Sequence, residues 1–182
     1  LCVAEAEAVR KLPASEARDL LLSHIQEQKT IRMEDLLRIL AAQDRTGRMK
    51  IIWRGMFSAD SRQRANSLEA LDDALDASLS GIMVPLLEDM PPSQVIFLGR
   101  KQFHLPDFDG DSAALYEHLL AKQDWVTVVL ALNLIAAEAK SPRILGRVAE
   151  LQSTANPFVA RMAEVVLQGR QPPDKREEPM TS

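Results

Sequence analysis

The regular spacing of helix-start signals constrains the fold of this chain more than any other feature. Helices are predicted to begin near residues 29–30, 60, 91, 124 and 156. Successive starts lie about 31 to 33 residues apart, the period of repeats built from two helices. A segment with helical apolar periodicity precedes each start, at residues 14–27, 46–57, 77–89, 111–122 and 142–153. The spacing therefore predicts a helix pair that recurs along the chain.

The start signals are residues that satisfy the free N–H groups of a first helical turn. Asp60 is followed by Gln63, a variant of the capping box. At Ser141-Pro142 and Asn156-Pro157, a capping side chain is followed by a proline at the first helical position, and Pro91-Pro92 opens a helix in a similar way. Asp124 directly precedes the most apolar segment. These local signals predict where five of the helices begin.

Small residues recur at the seventh position after the cap, at Ser67, Ala131 and Ala163. A small side chain there allows close packing of the two helices in a pair, and Leu68 and Leu71 supply one buried face. Since an isolated pair cannot bury that face, we expect a right-handed α-α superhelix of the HEAT or armadillo type, with about five stacked pairs. The predicted repeat domain spans residues 1–168, and the proline-rich segment 169–182 is predicted to be a disordered tail or linker.

Composition supports an all-α protein. Aromatic residues are only 4% of the chain, and Leu and Ala, which favour helices, dominate it. The net charge of −4 disfavours a nucleic-acid surface. The longest apolar run, 125–137, has about 13 residues and is short of the ~20 that cross a bilayer, so no direct membrane insertion is expected. The single cysteine, Cys2, favours a reducing compartment, and a cytoplasmic location is expected.

The stretch 103–118 holds the densest group of possible metal ligands. A calcium-binding EF-hand loop that starts at Asp107 and uses Asp109 and Asp111 is excluded. Its sixth and twelfth positions require glycine and glutamate, but the sequence has Ser112 and His118 there. The favoured interpretation is a loop in which Asp111 caps a helix that begins at Ser112, with Glu117 and His118 on its solvent face. A zinc site or metal-dependent enzyme built on His104 and His118 remains the alternative. No metal or other cofactor is expected.

Charged residues in the segment after Asp60 are candidates for acid and base groups. They are Arg62, Arg64, Glu69, Asp72 and Asp73. A structural role is favoured, in which Arg64 pairs with an acidic residue of a neighbouring repeat. No phosphate-binding loop or Ser/His/Asp arrangement appears in the sequence. No catalytic residue is therefore assigned, and the chain is not expected to be an enzyme.

Four aromatic residues are candidates for binding anchors: Trp53, Phe57, Trp125 and Phe158. Helical spacing favours the core for these side chains. Trp125, at the head of the most apolar segment, is predicted to be mostly buried near Leu119 and Leu120. Trp53 is the expected exception, because charged and apolar residues alternate closely around it.

One block also resembles a known family. It contains Ser58, Asp60, Arg64-Ala65, Leu68-Glu69, Leu71-Asp72 and Pro85-Leu86-Leu87-Glu88, and a later Leu119-Leu120 with Asp124-Trp125. Over about residues 20–140, this pattern is similar to the HEAT-like module that follows the membrane carrier domain in some bacterial relatives of the ATP/ADP carrier family. The resemblance carries over no nucleotide-binding residue, because those residues belong to the membrane part of that family.

The resemblance, and a first residue that is Leu1 rather than Met, imply a cytoplasmic part of a larger nucleotide-transporter-like membrane protein. The expected function is a non-catalytic protein-interaction or regulatory module. Its partner would be another protein or the carrier domain of the same chain. A free-standing HEAT-like scaffold is the first alternative. A DNA-binding HEAT-like protein, as among alkylpurine glycosylases, and the metal-dependent enzyme are the others.

Overall fold

The computed structural model describes residues 1–88, 90–108, 112–137 and 141–169, and this part of the chain contains ten α-helices and no β-strand. The helices are α1 (Cys2–Arg10), α2 (Glu16–Gln43), α3 (Arg48–Met56), α4 (Ser61–Ala74), α5 (Ala77–Leu87), α6 (Pro92–Gln102), α7 (Ser112–Leu120), α8 (Trp125–Ala137), α9 (Pro142–Leu151) and α10 (Pro157–Leu167). The all-α prediction is confirmed. Residues 170–182, most of the predicted tail, lie outside the described residues.

The predicted starts near 60, 91, 124 and 156 each match the first residue of a helix to within one position. Asp60 accepts a hydrogen bond from the backbone N–H of Arg62 at 2.8 Å, and Ser141 accepts one from Ile144 at 3.3 Å. These side chains occupy the cap positions that the sequence indicates, because N-capping depends on residues only two or three places apart.

The predicted boundary near residues 29–30 is wrong, since a single helix, α2, runs for 28 residues through it. No proline or glycine interrupts the segment. Thr30 does not cap a new helix: its hydroxyl donates to the carbonyl of Gln26, one turn earlier, at 3.2 Å. That back-bonding is compatible with a continuous helix. Helix α1 was not predicted at all.

The described residues group into two compact units. Unit 1 comprises Leu1–Glu7 and Gln26–Asp107; unit 2 comprises Ala8–Ile25 and the described residues from Phe108 onward. Both α1 and α2 contribute to each unit. The single repeat domain over 1–168 stays a prediction.

Unit 1 has a methionine-rich core in which α2, α3, α4 and α5 take part. Its buried side chains are Met33, Leu37, Met49, Ile52, Met56, Leu71 and Met83. Helices α3 and α4 lie in close contact at Gly55, where an added Cβ would overlap the Oγ of Ser67 and lie 3.1 Å from its Cβ. Ser67 therefore occupies a close helix contact, as its position after the cap predicts.

Unit 2 contains two consecutive helix pairs. Helix α7 packs against α8 and α9, and α10 packs against α9 and α8. Ala131 of α8 and Ala163 of α10 are completely buried. Their small side chains lie where close packing was predicted, and they allow α8 and α10 to lie against their neighbours.

Candidate functional site

An exposed pair of aromatic rings, Trp125 and Phe158, marks the candidate site in unit 2. The ring centroids lie 5.3 Å apart with an interplanar angle of 24°, a stacked arrangement. Trp125 is 45% exposed and Phe158 is 62% exposed. We refer to these two residues as the aromatic pair. Large rings that remain in water in this way are typical anchors of protein interfaces.

Capping residues hold the first helical turns that carry Trp125 and Phe158. Asp124 accepts hydrogen bonds from the backbone N–H groups of Val126 at 3.2 Å and Thr127 at 3.3 Å. Asn156 accepts from the N–H of Phe158 at 3.0 Å and begins α10 in the same way. Because α8 and α10 pack together, their first turns present both rings side by side.

His24 of α2 holds the cap of α8 from a distant part of the sequence. Its Nε2 atom lies 2.8 Å from Oδ2 of Asp124 and 3.1 Å from Oγ1 of Thr127. Thr127 is buried, and its hydroxyl donates to the same Asp124 oxygen at 2.6 Å. We call His24, Asp124 and Thr127 the cap cluster.

Geometry separates the cap cluster from a nucleophilic triad. In such a triad the imidazole stands between the hydroxyl and the carboxylate and takes the hydroxyl proton. Here the hydroxyl donates directly to the carboxylate, and the hydroxyl and the imidazole both contact the same oxygen of Asp124, Oδ2. The cap cluster therefore joins α2 to the first turn of α8 and supports the aromatic pair.

Opposing effects set the pKa of Asp124. Burial raises it, but the hydrogen bonds from the Thr127 hydroxyl, from His24 and from the backbone N–H groups of Thr127 and Val126 outweigh burial. Together they lower the pKa of Asp124 from its ordinary 3.8 to about 2. The carboxylate therefore stays ionised at neutral pH, where it can hold both the helix end and His24.

The prediction that Trp125 is mostly buried is wrong. Trp125 continues the spacing of the buried residues Val128, Leu132 and Ile135, but it is the first residue of α8. The buried face of α8 therefore ends at Trp125, and Phe158 covers only part of its ring. The core prediction is also wrong for Phe158 and for Phe57, which is 46% exposed.

Trp53, the expected exposed aromatic residue, instead packs partly buried against the core of unit 1. The guanidinium carbon of Arg38 lies 5.8 Å from the centroid of the Trp53 ring. Its Nε1 atom is buried and has no hydrogen-bond partner within the described residues. The ring of Trp53 is therefore covered in part by Arg38 of α2, a residue that is distant from it in sequence.

Of the possible metal ligands in 103–118, Asp109 and Asp111 lie outside the described residues, as does the predicted Asp111 cap. Asp107 accepts a hydrogen bond from Arg100 at 3.2 Å, and the ring of His118 lies 5.2 Å from that of Phe108. His104 is exposed and belongs to unit 1, whereas His118 belongs to unit 2. No cluster of three or more metal-ligating side chains occurs within the described residues.

Arg64 does not pair with an acidic residue as predicted; it donates to the backbone carbonyls of Ser58 at 2.7 Å and Ala59 at 2.9 Å. Arg64 thus stabilises the turn before its own helix. The carboxylate of Asp72 accepts from the hydroxyl of Ser80, and Arg62, Glu69 and Asp73 are exposed.

Sequence reasoning missed His24. A detectable signal exists, because His24 lies between the buried residues Leu21 and Ile25 on one stripe of α2. A histidine at such a position needs a hydrogen-bond partner. Its partner could not be inferred, because Asp124 is a hundred residues away in sequence.

Searches of protein families, of curated proteins and of solved structures found no match to this chain. Within the described residues, no helix combines the length and the apolar character that a membrane span requires.

Proposed function

We propose that this chain is a non-catalytic, HEAT-like protein-interaction module, and that the aromatic pair is the centre of its contact surface. The observation that carries the proposal is the exposure of two stacked rings, Trp125 and Phe158, on capped helix ends. Burial of such rings by a partner removes a large apolar area from water. Because the caps hold the rings in place, little conformational entropy is lost on binding.

The helix contacts in unit 2 support the HEAT-like part of the proposal. Each helix pair, α7 with α8 and α9 with α10, packs internally. Equivalent helices also pack, α7 with α9 and α8 with α10. This pattern is typical of stacked repeats, in which each pair buries its apolar face against the next.

The polar groups beside the aromatic pair support a non-catalytic role. His24, Asp124 and Thr127 satisfy one another and the first turn of α8. A general base needs access to a substrate proton. The Thr127 side chain is buried, and Asp124 already contacts four donors, which are His24, the Thr127 hydroxyl and the backbone N–H groups of Val126 and Thr127. The cap cluster serves to position the rings.

We further propose that the module belongs to a larger nucleotide-transporter-like membrane protein and lies on its cytoplasmic side. This step rests on the resemblance over Ser58–Glu88. The partner would be a cytoplasmic loop of the carrier domain or a separate protein, and nucleotide binding would belong to the carrier. Isothermal titration calorimetry with ATP is expected to give no heat of binding. Micromolar affinity would contradict this assignment.

Site-specific photo-crosslinking tests the contact surface. p-Benzoylphenylalanine is placed at Trp125, at Phe158 or, as a control, at Ile51, an exposed residue of unit 1. Positions 125 and 158 are expected to crosslink to the same polypeptide, and position 51 is not. The crosslink from 158 should weaken when Trp125 is replaced by alanine. Mass spectrometry of the adduct separates a carrier loop from a separate protein, which would indicate a free-standing scaffold. Equal crosslinking from all three positions would contradict the proposed surface.

A further inference from the structure

Helix α3 of unit 1 lies in a stretch of positive charge, which opposes the charge of the chain as a whole. Residues 45–59 contain no acidic residue, although the net charge of the chain is −4. The same stretch contains four basic residues, all of them exposed: Arg45, Arg48, Lys50 and Arg54. Arg48 lines a surface pocket with Asp44 and Asp73, so its charge is partly offset. The centre of the positive charge therefore lies further along α3, at Lys50 and Arg54.

The outer face of α3 combines these two cations with exposed apolar side chains. Arg54 follows Lys50 by four residues and Ile51 by three, and Phe57 follows Arg54 by three, so the four lie on one side of the helix. The opposite side of α3 packs into the methionine-rich core. Ile51 is 74% exposed and Phe57 is 46% exposed. We call Lys50, Ile51, Arg54 and Phe57 the α3 face.

The cations of the α3 face are not paired with carboxylates. Within the described residues, neither Lys50 nor Arg54 forms an ion pair or a side-chain hydrogen bond. Arg38 of α2, by contrast, pairs with two carboxylates. Asp44, just before the basic stretch, already accepts a hydrogen bond from the backbone N–H of Met49 at 2.7 Å. Both cations of the α3 face are therefore available to an anionic partner.

The mixture of free cations and exposed apolar side chains favours the surface of an anionic bilayer. Each Lys or Arg close to an anionic leaflet strengthens binding about fivefold. Ile51 and Phe57 would leave water at the apolar boundary beneath the headgroups. A nucleic-acid backbone would pair with the cations but leave both apolar side chains in water. The negative charge of distant residues matters little, because salt screens it over about 8 Å.

We propose that the α3 face binds the surface of an anionic lipid bilayer, with Lys50 and Arg54 at the phosphate groups and Ile51 and Phe57 at the apolar boundary. Helix α3 has nine residues and would lie on the bilayer rather than cross it. The site lies in unit 1 and does not depend on the aromatic pair of unit 2. It applies equally to a free-standing module and to one that belongs to a membrane protein.

Flotation of the 182-residue chain with lipid vesicles tests the partner. The chain is expected to float with vesicles of equal parts phosphatidylcholine and phosphatidylglycerol, and not with vesicles of phosphatidylcholine alone. Salt at about 1 M, where the Debye length falls to about 3 Å, should weaken the binding at least fivefold. Absence of flotation with the anionic vesicles, or equal flotation with both kinds, would overturn the proposal.

Paired substitutions locate the cations. Lys50→Gln combined with Arg54→Gln is expected to weaken binding to the anionic vesicles at least tenfold. Arg147→Gln combined with Arg161→Gln is the matched control, because it removes the same total charge from exposed residues of unit 2. Binding of the control variant is expected to be unchanged. Equal losses in the two variants would mean that the net charge of the chain governs binding, and would contradict a site on the α3 face.

A further substitution separates a bilayer from a partner that is recognised by charge alone. Ile51→Ser is expected to weaken vesicle binding severalfold, because its side chain no longer gains from the apolar boundary. Ile39→Ser is the control, since Ile39 of α2 is also exposed, and it is expected to have no effect. Unchanged binding of the Ile51→Ser variant would overturn the proposal. Tighter binding of the native chain to duplex DNA or to polyglutamate than to the vesicles would also overturn it, in favour of a nucleic acid or an acidic protein.

Discussion

The imidazole of His24 and the carboxylate of Asp124 lie 2.8 Å apart, although a hundred residues separate them in sequence. This contact joins the first half of α2 to the first turn of α8 within unit 2. It is also adjacent to Trp125, so the same hydrogen bonds that hold the helix end hold one ring of the aromatic pair.

The lowered pKa of Asp124 predicts how stability depends on pH. Because the pKa falls from its ordinary 3.8 to about 2 in the folded state, ionised Asp124 contributes stability that is fully present above 3.8. The contribution is lost as the pH falls from 3.8 towards 2. Thermal melts from pH 6 to pH 2 should show this loss in the native chain. Asn also caps helices but does not ionise, so Asp124→Asn should be less sensitive to pH in this window. An identical pH profile for both chains would contradict the prediction.

A double-mutant cycle measures the coupling between His24 and Asp124. Asp124→Ala is expected to destabilise the native chain by about 1–2 kcal/mol, the usual effect of losing a cap. In a His24→Ala background the same change should destabilise less, because the contact between the two residues is already absent. Chemical denaturation of the four chains gives the coupling, which is expected to exceed about 0.5 kcal/mol. Strict additivity would mean that the 2.8 Å contact contributes nothing to stability.

The close approach of α3 and α4 at Gly55 and Ser67 predicts a sensitive position. Gly55→Ala is expected to destabilise unit 1 by about 1–3 kcal/mol, since its Cβ would overlap the Ser67 hydroxyl. Adding Ser67→Ala should recover part of the loss, because it removes the overlapping oxygen and leaves a Cβ at 3.1 Å. Gly146→Ala is the control, and it is expected to stabilise the chain by up to about 1 kcal/mol. Equal effects at Gly55 and Gly146 in thermal melts would contradict the close contact.

The exposure of Trp125 predicts a modest loss of stability when its ring is removed. Trp125→Ala is expected to destabilise by about 1–2 kcal/mol, below the 3–5 kcal/mol typical of a buried tryptophan. Leu132→Ala in the same helix removes a fully buried side chain and should cost about 2–5 kcal/mol. Urea denaturation of both variants compares the two positions. A larger loss at Trp125 than at Leu132 would place the ring in the core.

Local signals in the sequence determined the helical class and most of the helix boundaries. Asp60, Ser141 and Asn156 act on backbone groups two or three residues away, so their effect can be inferred without knowledge of the fold. Apolar periodicity and the small residue at position 67 likewise indicated a buried face and a close helix contact. These inferences succeed because their physical causes lie within one or two helical turns.

Only the tertiary structure decided which side chains meet and which remain in water. The stripe of α8 reaches Trp125, yet the ring is half-exposed, because exposure depends on which neighbours extend past the end of the helix. Thr30 resembled a cap but lies inside α2, since the surrounding residues allow the helix to continue. His24 contacts Asp124 although a hundred residues separate them in sequence. The rings of the aromatic pair meet because α8 packs against α10. Such contacts depend on the arrangement of whole helices in space, and no local pattern in the sequence encodes that arrangement.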